Sequence, residues 1–559
     1  MGLREGDSRS SVSSASTVQP GISHESNNGK LPQEGSMKDK QPQSDITEEQ
    51  LVGAVCGIYA GLVMVEKKCI KINKQQSESL NKLADHKWQA LTSMHWILLH
   101  EHHDFFLASQ HPSASKVLKQ LPEKYAMSAR MWRYGIHLFF ELLRHQLPDS
   151  LEHTLTFLYH AYSMVTLLLE SVPEFWETWI ECLGDLAHYH MAVEDADMQE
   201  REVWVNVARY WYHQAADKNQ SVGRIQHHLA VLAHPEMLQQ LFYYTKSLVS
   251  VHPFPSAVES AMLLFHPLLN APKPLNQPIV ASTFVTAHGH LLTQKPTLSG
   301  LNVTALVEQT CKFLQHLDMY IGRLGANFRL HGAYMSLSNF AAIFQYGAAD
   351  AVIPGEFKQS SGPIEPSAAY RTASERWIPV EKVDAIEAEF VKNKEQPSSQ
   401  LIFYGSFLTF QTFSAILGHM GNKNVYPAVH ASLAFLWCMA LNHASMKHIK
   451  VAVPWQKLTT FLNTLVRSET DLQPVESDDF PIVEEKKHIP EDFLIRGQLW
   501  SQRYYPDKFF EEAPTEDDGR SIEYPSLSIT RTYRCLWLGV RLAKVCLFFK
   551  KGIMVQTRY

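Results

Sequence analysis

The residues with the clearest capacity for metal chemistry lie in the stretch LLHEHHDFF, residues 98–106. On a helix, His100 and Asp104 share one face four residues apart, and His103 follows His100 by three residues. A zinc protease uses the pattern HExxH, which requires a second histidine at the fifth position. This chain has Asp104 there, and histidines on helices more often form hydrogen bonds or face solvent. The sequence therefore predicts no metal site.

The sequence offers no other pattern that is typical of catalysis. It contains no GxSxG turn, Walker phosphate loop or Rossmann GxGxxG, and no cysteine has neighbours that would activate a thiolate. The carboxylates of EDADMQE, residues 194–200, belong to one acidic insertion, whereas a two-metal nuclease collects its acids from several strand ends. We therefore expect a protein that is not an enzyme and that uses no cofactor.

Composition limits the class of protein further. The chain has 559 residues, 45% of them hydrophobic, which is enough for several domains or one long solenoid. A net charge of −6 argues against a protein that is basic all over, but it does not exclude a local basic groove for nucleic acid. Seven scattered cysteines without a CxxC pair indicate buried, reduced thiols in an intracellular protein. The apolar runs LYHAYSMVTLLL and LAFLWCMAL are expected to be too short to cross a bilayer, so we expect no membrane contact.

The elements that must position any site are predicted to be helices. Apolar residues recur at three- and four-residue steps, and the first half has no segment with the alternation of a strand, so the fold class is all-α. Residues 1–45 are expected to be a disordered Ser- and Gln-rich tail, with the first helix capped near Ser44 and Asp45. Two helical domains follow, residues 46–234 and residues 235–545. A surface loop is predicted at 351–400, and an irregular end at 546–559.

The segment from Leu183 to Ala233 is predicted to form two helices, a turn and the start of a third helix. Leu183 and Gly184 fit the Leu-Gly step of a tetratricopeptide repeat, and Tyr212 with Ala215 fits the aromatic-x2-Ala step of its second helix. Small residues are needed where the two helices cross, because only they let the backbones approach. The next such step comes 46 residues after Leu183, at Leu229, against a repeat of about 34, so the unit carries an insertion.

Several stretches together resemble the telomerase-associated Ever-Shorter-Telomeres and nonsense-mediated-decay Smg family, with its DNA/RNA-binding domain of Est-one type. The stretches occur in the family's order between about residue 48 and residue 540. They are LGDLAHYH, AADKNQSVGRIQHHLAVLA, LFYYTKSL with HPFPSA, VPWQKLTTFLN, PEDFLIRG and RTYRCLWLG. The chain is most similar to the compact fungal members, which lack an appended PIN nuclease domain.

The resemblance implies a fold and a function. The fold is a 14-3-3-like helical domain of tetratricopeptide-type hairpins, packed on a C-terminal α-helical hairpin, or α-solenoid, domain. The function is that of a non-enzymatic adaptor in nonsense-mediated mRNA decay or telomere maintenance, in the nucleus and cytoplasm. Its expected partners are proteins, including phosphorylated decay factors, and RNA or single-stranded telomeric DNA. Nothing αβ-like follows residue 541, so nuclease activity is not expected.

One departure from the family affects its phosphoserine pocket. The family reads GDxARYR where this chain has His188 and His190 in place of the two arginines, and neutral imidazole is a weaker phosphate partner than guanidinium. Arg209 and Arg224 flank the central turn, where they could track a nucleic-acid backbone or form a solvated face. An alternative is therefore a protein-interaction solenoid that has lost phosphopeptide and nucleic-acid binding. The predicted groove consists of Lys87, Arg130, Arg133, His188, His190, Arg209 and Arg224.

Overall fold

The fold is given by a computed structural model. It describes residues 47–78, 83–194, 197–270, 278–293, 303–359, 397–468, 470–482, 488–511 and 523–545. Within these ranges the regular structure is helical, with two isolated β-bridges, Val222 with His252 and Ser250 with Gln498. The prediction of an all-α protein is confirmed. The predicted tail at 1–45 and the irregular end at 546–559 lie outside the described residues.

The first half of the chain is built from helices that pack mainly on their sequence neighbours, α1 on α2, α4 on α5 and α5 on α6. A π-helical segment, Met131–His137, runs directly into α3. Stacked helices of this kind are compatible with the predicted tetratricopeptide-type hairpins. The α-helices longer than one turn are α1 (Glu48–Ser77), α2 (Asp85–Ser109), α3 (Leu138–His145), α4 (Leu151–Ser171), α5 (Trp176–Val193), α6 (Met198–Lys218) and α7 (Gly223–Leu232).

Helix α1 begins after Thr47 instead of at the predicted cap near Ser44. The Thr47 hydroxyl accepts a hydrogen bond from the backbone N–H of Gln50 at 3.4 Å, and the Gln50 side chain accepts one from the backbone N–H of Thr47 at 3.0 Å. This reciprocal capping box satisfies two donors that a helix start leaves open. The sequence pattern Thr-x-x-Gln therefore sets the start of α1.

The second half surrounds one central helix, α15 (Tyr426–Leu441). Every residue from Tyr426 to Ala440 is buried, as expected for a helix that is apolar on all sides, and α15 packs on α12 and α19. The other α-helices longer than one turn are α8 (Met237–Val249), α9 (Ala257–Asn270), α10 (Ile279–Leu292), α11 (Val303–Leu324), α12 (Phe328–Ile343), α13 (Val352–Gln359), α14 (Pro397–Leu417), α16 (His443–Ile449), α17 (Trp455–Leu465), α18 (Pro490–Ile495) and α19 (Leu527–Val545).

The long surface loop predicted at 351–400 is helical at both of its described ends. Helix α13 begins at Val352, directly after the predicted loop starts, and α14 begins at Pro397. Proline is favoured in the first turn of a helix, because its missing N–H would have no partner there. Residues 360–396, which make up the rest of the predicted loop, lie outside the described residues.

Helix α5 belongs to both hydrophobic cores of the protein. Its residues Trp179 and Leu183 pack in a core formed by residues between Leu51 and Val193. Further along the same helix, Ala187 and Met191 pack in the larger core that extends to the last helix. Because α5 packs in both cores, it fixes the position of the side chains at its end, including the two predicted site histidines.

Three described helical segments are long and apolar enough to cross a membrane, judged by length and composition alone. They are Glu48–Ser77, Gln400–Leu417 and Lys423–Leu441, whose apolar windows are 17%, 56% and 89% buried inside the protein. The run LAFLWCMAL lies in the third segment, which passes this test over a longer stretch than the run itself. Packing inside the protein explains the apolar character of that segment. LYHAYSMVTLLL meets the same test only together with the following helix, across a bend of 110°.

The described cysteines are free thiols, as the sequence predicts, but they are not all buried. Cys69, Cys182, Cys438 and Cys535 are buried, whereas Cys56 and Cys311 are exposed on α1 and α11. Burial raises the pKa of the Cys69 thiol to about 12, which keeps it protonated and unreactive at neutral pH.

Candidate functional site

The two predicted site histidines are packed side chains instead of exposed cations. The ring of His188 lies 6.4 Å from that of His228 on α7, at an angle of 87°. Burial lowers the pKa of His188 to about 4, and the charges of His227 and Arg201 act in the same direction. The ring is therefore neutral at pH 7. A neutral imidazole offers a phosphate at most one N–H donor and no charge.

His190 is packed in a different way, against an aromatic ring of the next helix. Its imidazole stacks on the indole of Trp204 in α6, with ring centroids 4.0 Å apart and an angle of 18°. Burial lowers the pKa of His190 as well, and its Nδ1 atom is buried with no hydrogen-bond partner. A flat neutral ring suits this stack, which shows why histidine fits the position structurally.

A hydrogen-bonded cluster joins α5, α6 and α7 beside His188. The hydroxyl of Tyr212 donates to Oδ1 of Asp185 at 2.7 Å, and the ring of His228 stacks on Tyr212 with centroids 4.9 Å apart. Burial raises the pKa of Asp185 to about 6, although the bond from Tyr212 opposes this shift. The polar groups at this end of α5 are therefore used to hold three helices together.

The predicted cations on the neighbouring helices have separate surroundings. Arg130 forms an ion pair with Glu66 of α1, with 2.9 Å between Nη2 and Oε2, so a carboxylate already neutralises its charge. Arg133 is exposed and its guanidinium lies over the ring of Tyr134 at 5.3 Å. Lys87 is exposed near the start of α2. Of these three residues, two present a charge to solvent.

The two remaining predicted residues flank the central turn. Arg224 pairs with Glu181 of α5, and Arg209 donates from Nη1 to the side-chain oxygen of Asn206 at 2.6 Å. Among the described residues, no hydrogen bond, ion pair or ring contact recorded for the seven predicted groove residues joins two of them. Six of the seven thus have a side-chain contact with a residue outside the predicted groove, and Lys87 is exposed.

The histidines of the stretch LLHEHHDFF, which suggested metal chemistry, contact neighbouring side chains. The ring of His100 meets that of Trp96 edge-on, with centroids 4.4 Å apart, and His103 Nδ1 lies 3.2 Å from Asp104 Oδ1. In the part of the chain that the structure describes, no group of three or more His, Cys, Asp or Glu residues could hold a metal ion.

Three of the quoted sequence motifs are joined to one another by buried or mostly buried ion pairs. Arg496 of PEDFLIRG pairs with Asp217 of AADKNQSVG, which connects α18 to the end of α6. Glu491 and Asp492 of PEDFLIRG pair with two arginines of RTYRCLWLG. Arg531 Nε lies 2.6 Å from Glu491 Oε1, and Arg534 Nη1 lies 2.6 Å from Asp492 Oδ1.

Sequence reasoning missed these pairs, although a signal for them exists. Charged residues are almost never fully buried unless they are paired, so opposite charges inside apolar helical stretches predict partners for one another. Burial alone would raise the pKa of Glu491, but the Arg531 guanidinium holds it well below its usual range. The paired charges of these motifs thus stabilise the fold.

The turn QSVG, residues 220–223, leads into α7 and is held by backbone contacts from two distant segments. The N–H of Gly223 donates to His252 O at 2.8 Å, and the N–H of His252 donates to Ser221 O at 2.9 Å. Gly497 has a φ of +80°, and a Cβ there would lie 1.8 Å from the carbonyl oxygen of Gln220. Only glycine allows this approach, so the turn is fixed by packing against the segment that follows α18.

A cleft of about 590 Å³ opens beside this turn and is lined in part by Gln220 and Arg496. It lies between α6 and α7 of the first half of the chain and α8, α12 and α18 of the second half. Its walls include the apolar residues Leu229, Ala333 and Phe493, and its charged groups include Arg209 and Arg329. Arg209 is the one predicted groove residue that lines this cleft.

Comparison with known proteins gives a distant relation. No protein-family model matches the chain. Over 177 residues, or 30% of its length, the chain is 22% identical to EST/SMG-like protein 2 of Saccharomyces cerevisiae (strain ATCC 204508 / S288c). The match covers 14% of that protein, so the chain corresponds to a small part of this relative's length. The similarity supports a distant relation to the Est and Smg proteins, and it fits an adaptor role in general.

Proposed function

We propose that this chain is a non-enzymatic adaptor that acts in nonsense-mediated mRNA decay or telomere maintenance, in the nucleus and cytoplasm. It binds protein partners, including decay factors, and RNA or single-stranded telomeric DNA. The observation that carries the proposal is the similarity to EST/SMG-like protein 2. The all-α body supports it, since stacked helices offer extended surfaces that bind other macromolecules.

A second candidate is a protein-interaction solenoid that has lost phosphopeptide and nucleic-acid binding. It is favoured by one specific observation, namely that His188 and His190 are neutral, packed rings at the positions where the resembled family carries arginines. The ion pair of Arg130 with Glu66 favours it further, because a phosphate would have to compete with the carboxylate.

Direct binding measurements with the purified full chain distinguish the two candidates. The probes are a single-stranded RNA, a single-stranded telomeric repeat DNA, and a phosphoserine peptide with its unphosphorylated twin, each at about 50 and about 200 mM salt. Nucleic-acid binding that weakens steeply with salt supports the first candidate. Binding of none of these probes supports the second.

The process is tested in cells with a tagged full chain. Cross-linking followed by mass spectrometry identifies its neighbours, and depletion is followed by an mRNA-decay reporter and by telomere length. An adaptor should be cross-linked to decay or telomere factors, and its depletion should change one of the two readouts. A chain with neither neighbours nor effect would contradict the proposal.

A further inference from the structure

The cleft between the two parts of the chain has the properties of a ligand site. Its volume of about 590 Å³ falls within the range of about 300–1,000 Å³ that is typical of pockets for small ligands. It also lies where helices from both halves meet, a common position for such pockets. The Arg496–Asp217 pair and the Gly497 contact with Gln220 fix its walls, so the cleft is preformed.

The inner wall of the cleft is apolar. Leu229, Ala333 and Tyr334 line it and are 3%, 1% and 5% exposed, and Phe493 closes one side. Leu330, one helical turn before Tyr334, also lines the cleft and is 44% exposed. An exposed leucine that leads into a buried apolar wall is suited to a partner with a large apolar side chain, because burial of that side chain contributes about 1.5–3 kcal/mol.

The more exposed charges of the cleft are positive. Arg209 bonds to the neutral side chain of Asn206, so this bond does not compensate its charge. Arg329 donates to Asn424 at 2.9 Å and lies 3.7 Å from Glu523, a carboxylate that it shares with Arg531. The cleft is lined by five basic residues, Arg209, Lys246, Arg329, Arg496 and Arg531, and by two acidic ones, Glu491 and Glu523, so basic side chains are in excess. The rim therefore attracts a carboxylate.

One amide on the cleft wall also lacks a partner. Gln226 lines the cleft and is 3% exposed, and its Oε1 atom forms no hydrogen bond. A buried acceptor without a donor costs about 1–3 kcal/mol. A rotation of the side-chain amide would let this oxygen accept from a peptide N–H in the cleft.

We propose that this cleft is the docking site for a peptide segment of a partner protein, with one large apolar side chain inside and an Asp or Glu at the rim. The proposal rests on the adaptor function and names a contact surface for it. A peptide fits the charges better than a nucleic-acid strand. The inner wall is apolar and the deep guanidinium of Arg531 is already paired with Glu491 and Glu523, so the cleft suits one apolar side chain with a single carboxylate at the rim better than a chain of phosphates.

The test starts from a random 12-residue peptide library displayed on phage and selected on the immobilised full chain. Enriched peptides are synthesised with a fluorescent label, and their affinity is measured by anisotropy for the wild type and four variants. Arg209→Glu and Leu330→Asp change the rim at partly or fully exposed positions, so both should fold. Arg323→Glu and Leu263→Asp make the same changes at exposed positions that do not line the cleft.

We expect the enriched peptides to share an aromatic or large aliphatic residue with an Asp or Glu within two positions. Arg209→Glu should weaken binding about tenfold and Leu330→Asp about fivefold or more, because one loses charge complementarity and the other loses apolar contact. The two control variants should stay within about twofold of the wild type.

Three results would overturn the docking site. These are no enrichment, enriched peptides that are basic, and binding that Arg209→Glu and Leu330→Asp leave unchanged. Binding of a single-stranded 12-nucleotide RNA that depends on Arg209 would assign the cleft to nucleic acid instead. If both rim variants keep the cellular cross-links of the wild type, the adaptor proposal stands and the cleft proposal alone fails.

Discussion

The ring of Tyr212 lies directly against Gly184, so that a Cβ on this glycine would be 2.7 Å from the ring atom Cε1. Both residues are fully or almost fully buried where α5 and α6 cross. The absence of a side chain at Gly184 lets the tyrosine reach Asp185, to which its hydroxyl donates at 2.7 Å. The close crossing and the polar cluster beside His188 therefore depend on one another.

We expect Gly184→Ala to destabilise the protein by about 1–3 kcal/mol, because the added methyl group overlaps the ring and forces the helices apart. Gly53→Ala is the matched control. Gly53 is also helical, but nothing lies within 4 Å of its missing Cβ, so alanine there should stabilise by about 0.5–1 kcal/mol. Urea unfolding of both variants measures the difference. A Gly184→Ala variant as stable as the wild type would show that α6 is not constrained by this contact.

The crossing of α5 and α6 could be predicted from the sequence, because it depends on a local pattern of residues. The spacing of Leu183, Gly184, Tyr212 and Ala215 indicates two crossing helices with a small residue at the contact, and the structure has both helices there. The ion pairs could not be assigned in this way, since Asp217 and Arg496 are 279 positions apart and no periodicity connects them. The cleft depends on these same long-range pairs, so no local pattern indicates it.

The ion pair between Asp217 and Arg496 should be strongly coupled. Both side chains are mostly buried, and removing one partner deprives the other charge of this ion pair, so Asp217→Asn and Arg496→Met should each cost up to about 3–5 kcal/mol. The double variant should cost less than the sum of the two, because neither charge then remains. A double-mutant cycle in urea unfolding gives the coupling. Strict additivity would mean that the pair does not link the two parts of the chain energetically.

Stability should fall in acid because of buried neutral histidines such as His95. Its Nδ1 faces the carbonyl oxygen of Gly135 at 2.9 Å, which can only accept, so Nδ1 carries the proton. Nε2 must then accept from the Asn73 amide at 2.7 Å, and a second proton there would meet a donor. Burial lowers the pKa of His95 from 6.5 to about 4.

The sign of the effect follows from this pKa. Between pH 6.5 and about pH 4 the unfolded chain binds the proton and the folded protein does not, so the stabilisation is complete above pH 6.5 and is lost as the pH falls towards 4. We expect His95→Gln to reduce the loss of unfolding free energy between pH 7.5 and 4.5 by about 2–3 kcal/mol. His86→Gln, at an exposed position on the same helix, should follow the wild type. An unchanged pH dependence in His95→Gln would contradict the neutral buried ring.

The predicted phosphate groove can be tested by phosphoserine binding at two pH values. Because the rings of His188 and His190 are neutral at pH 7 and Arg130 is paired with Glu66, we expect a phosphoserine peptide to bind no more than about twofold tighter than its unphosphorylated twin. With a pKa of about 4, His188 stays neutral at pH 6 as well, so moderate acidification should not create a preference. Isothermal titration with the full chain measures both affinities.

If the chain does prefer the phosphorylated peptide, further variants show which side chains bind the phosphate. If phosphorylation strengthens binding tenfold or more, Lys87→Glu and Arg133→Glu should be tested, since these exposed cations do not depend on a histidine charge. Loss of the phosphate preference in either variant would mean that lysine and arginine side chains replace the missing arginines of the resembled family. Arg323→Glu, another exposed arginine far along the chain on α11, should keep the preference and exclude a general charge effect.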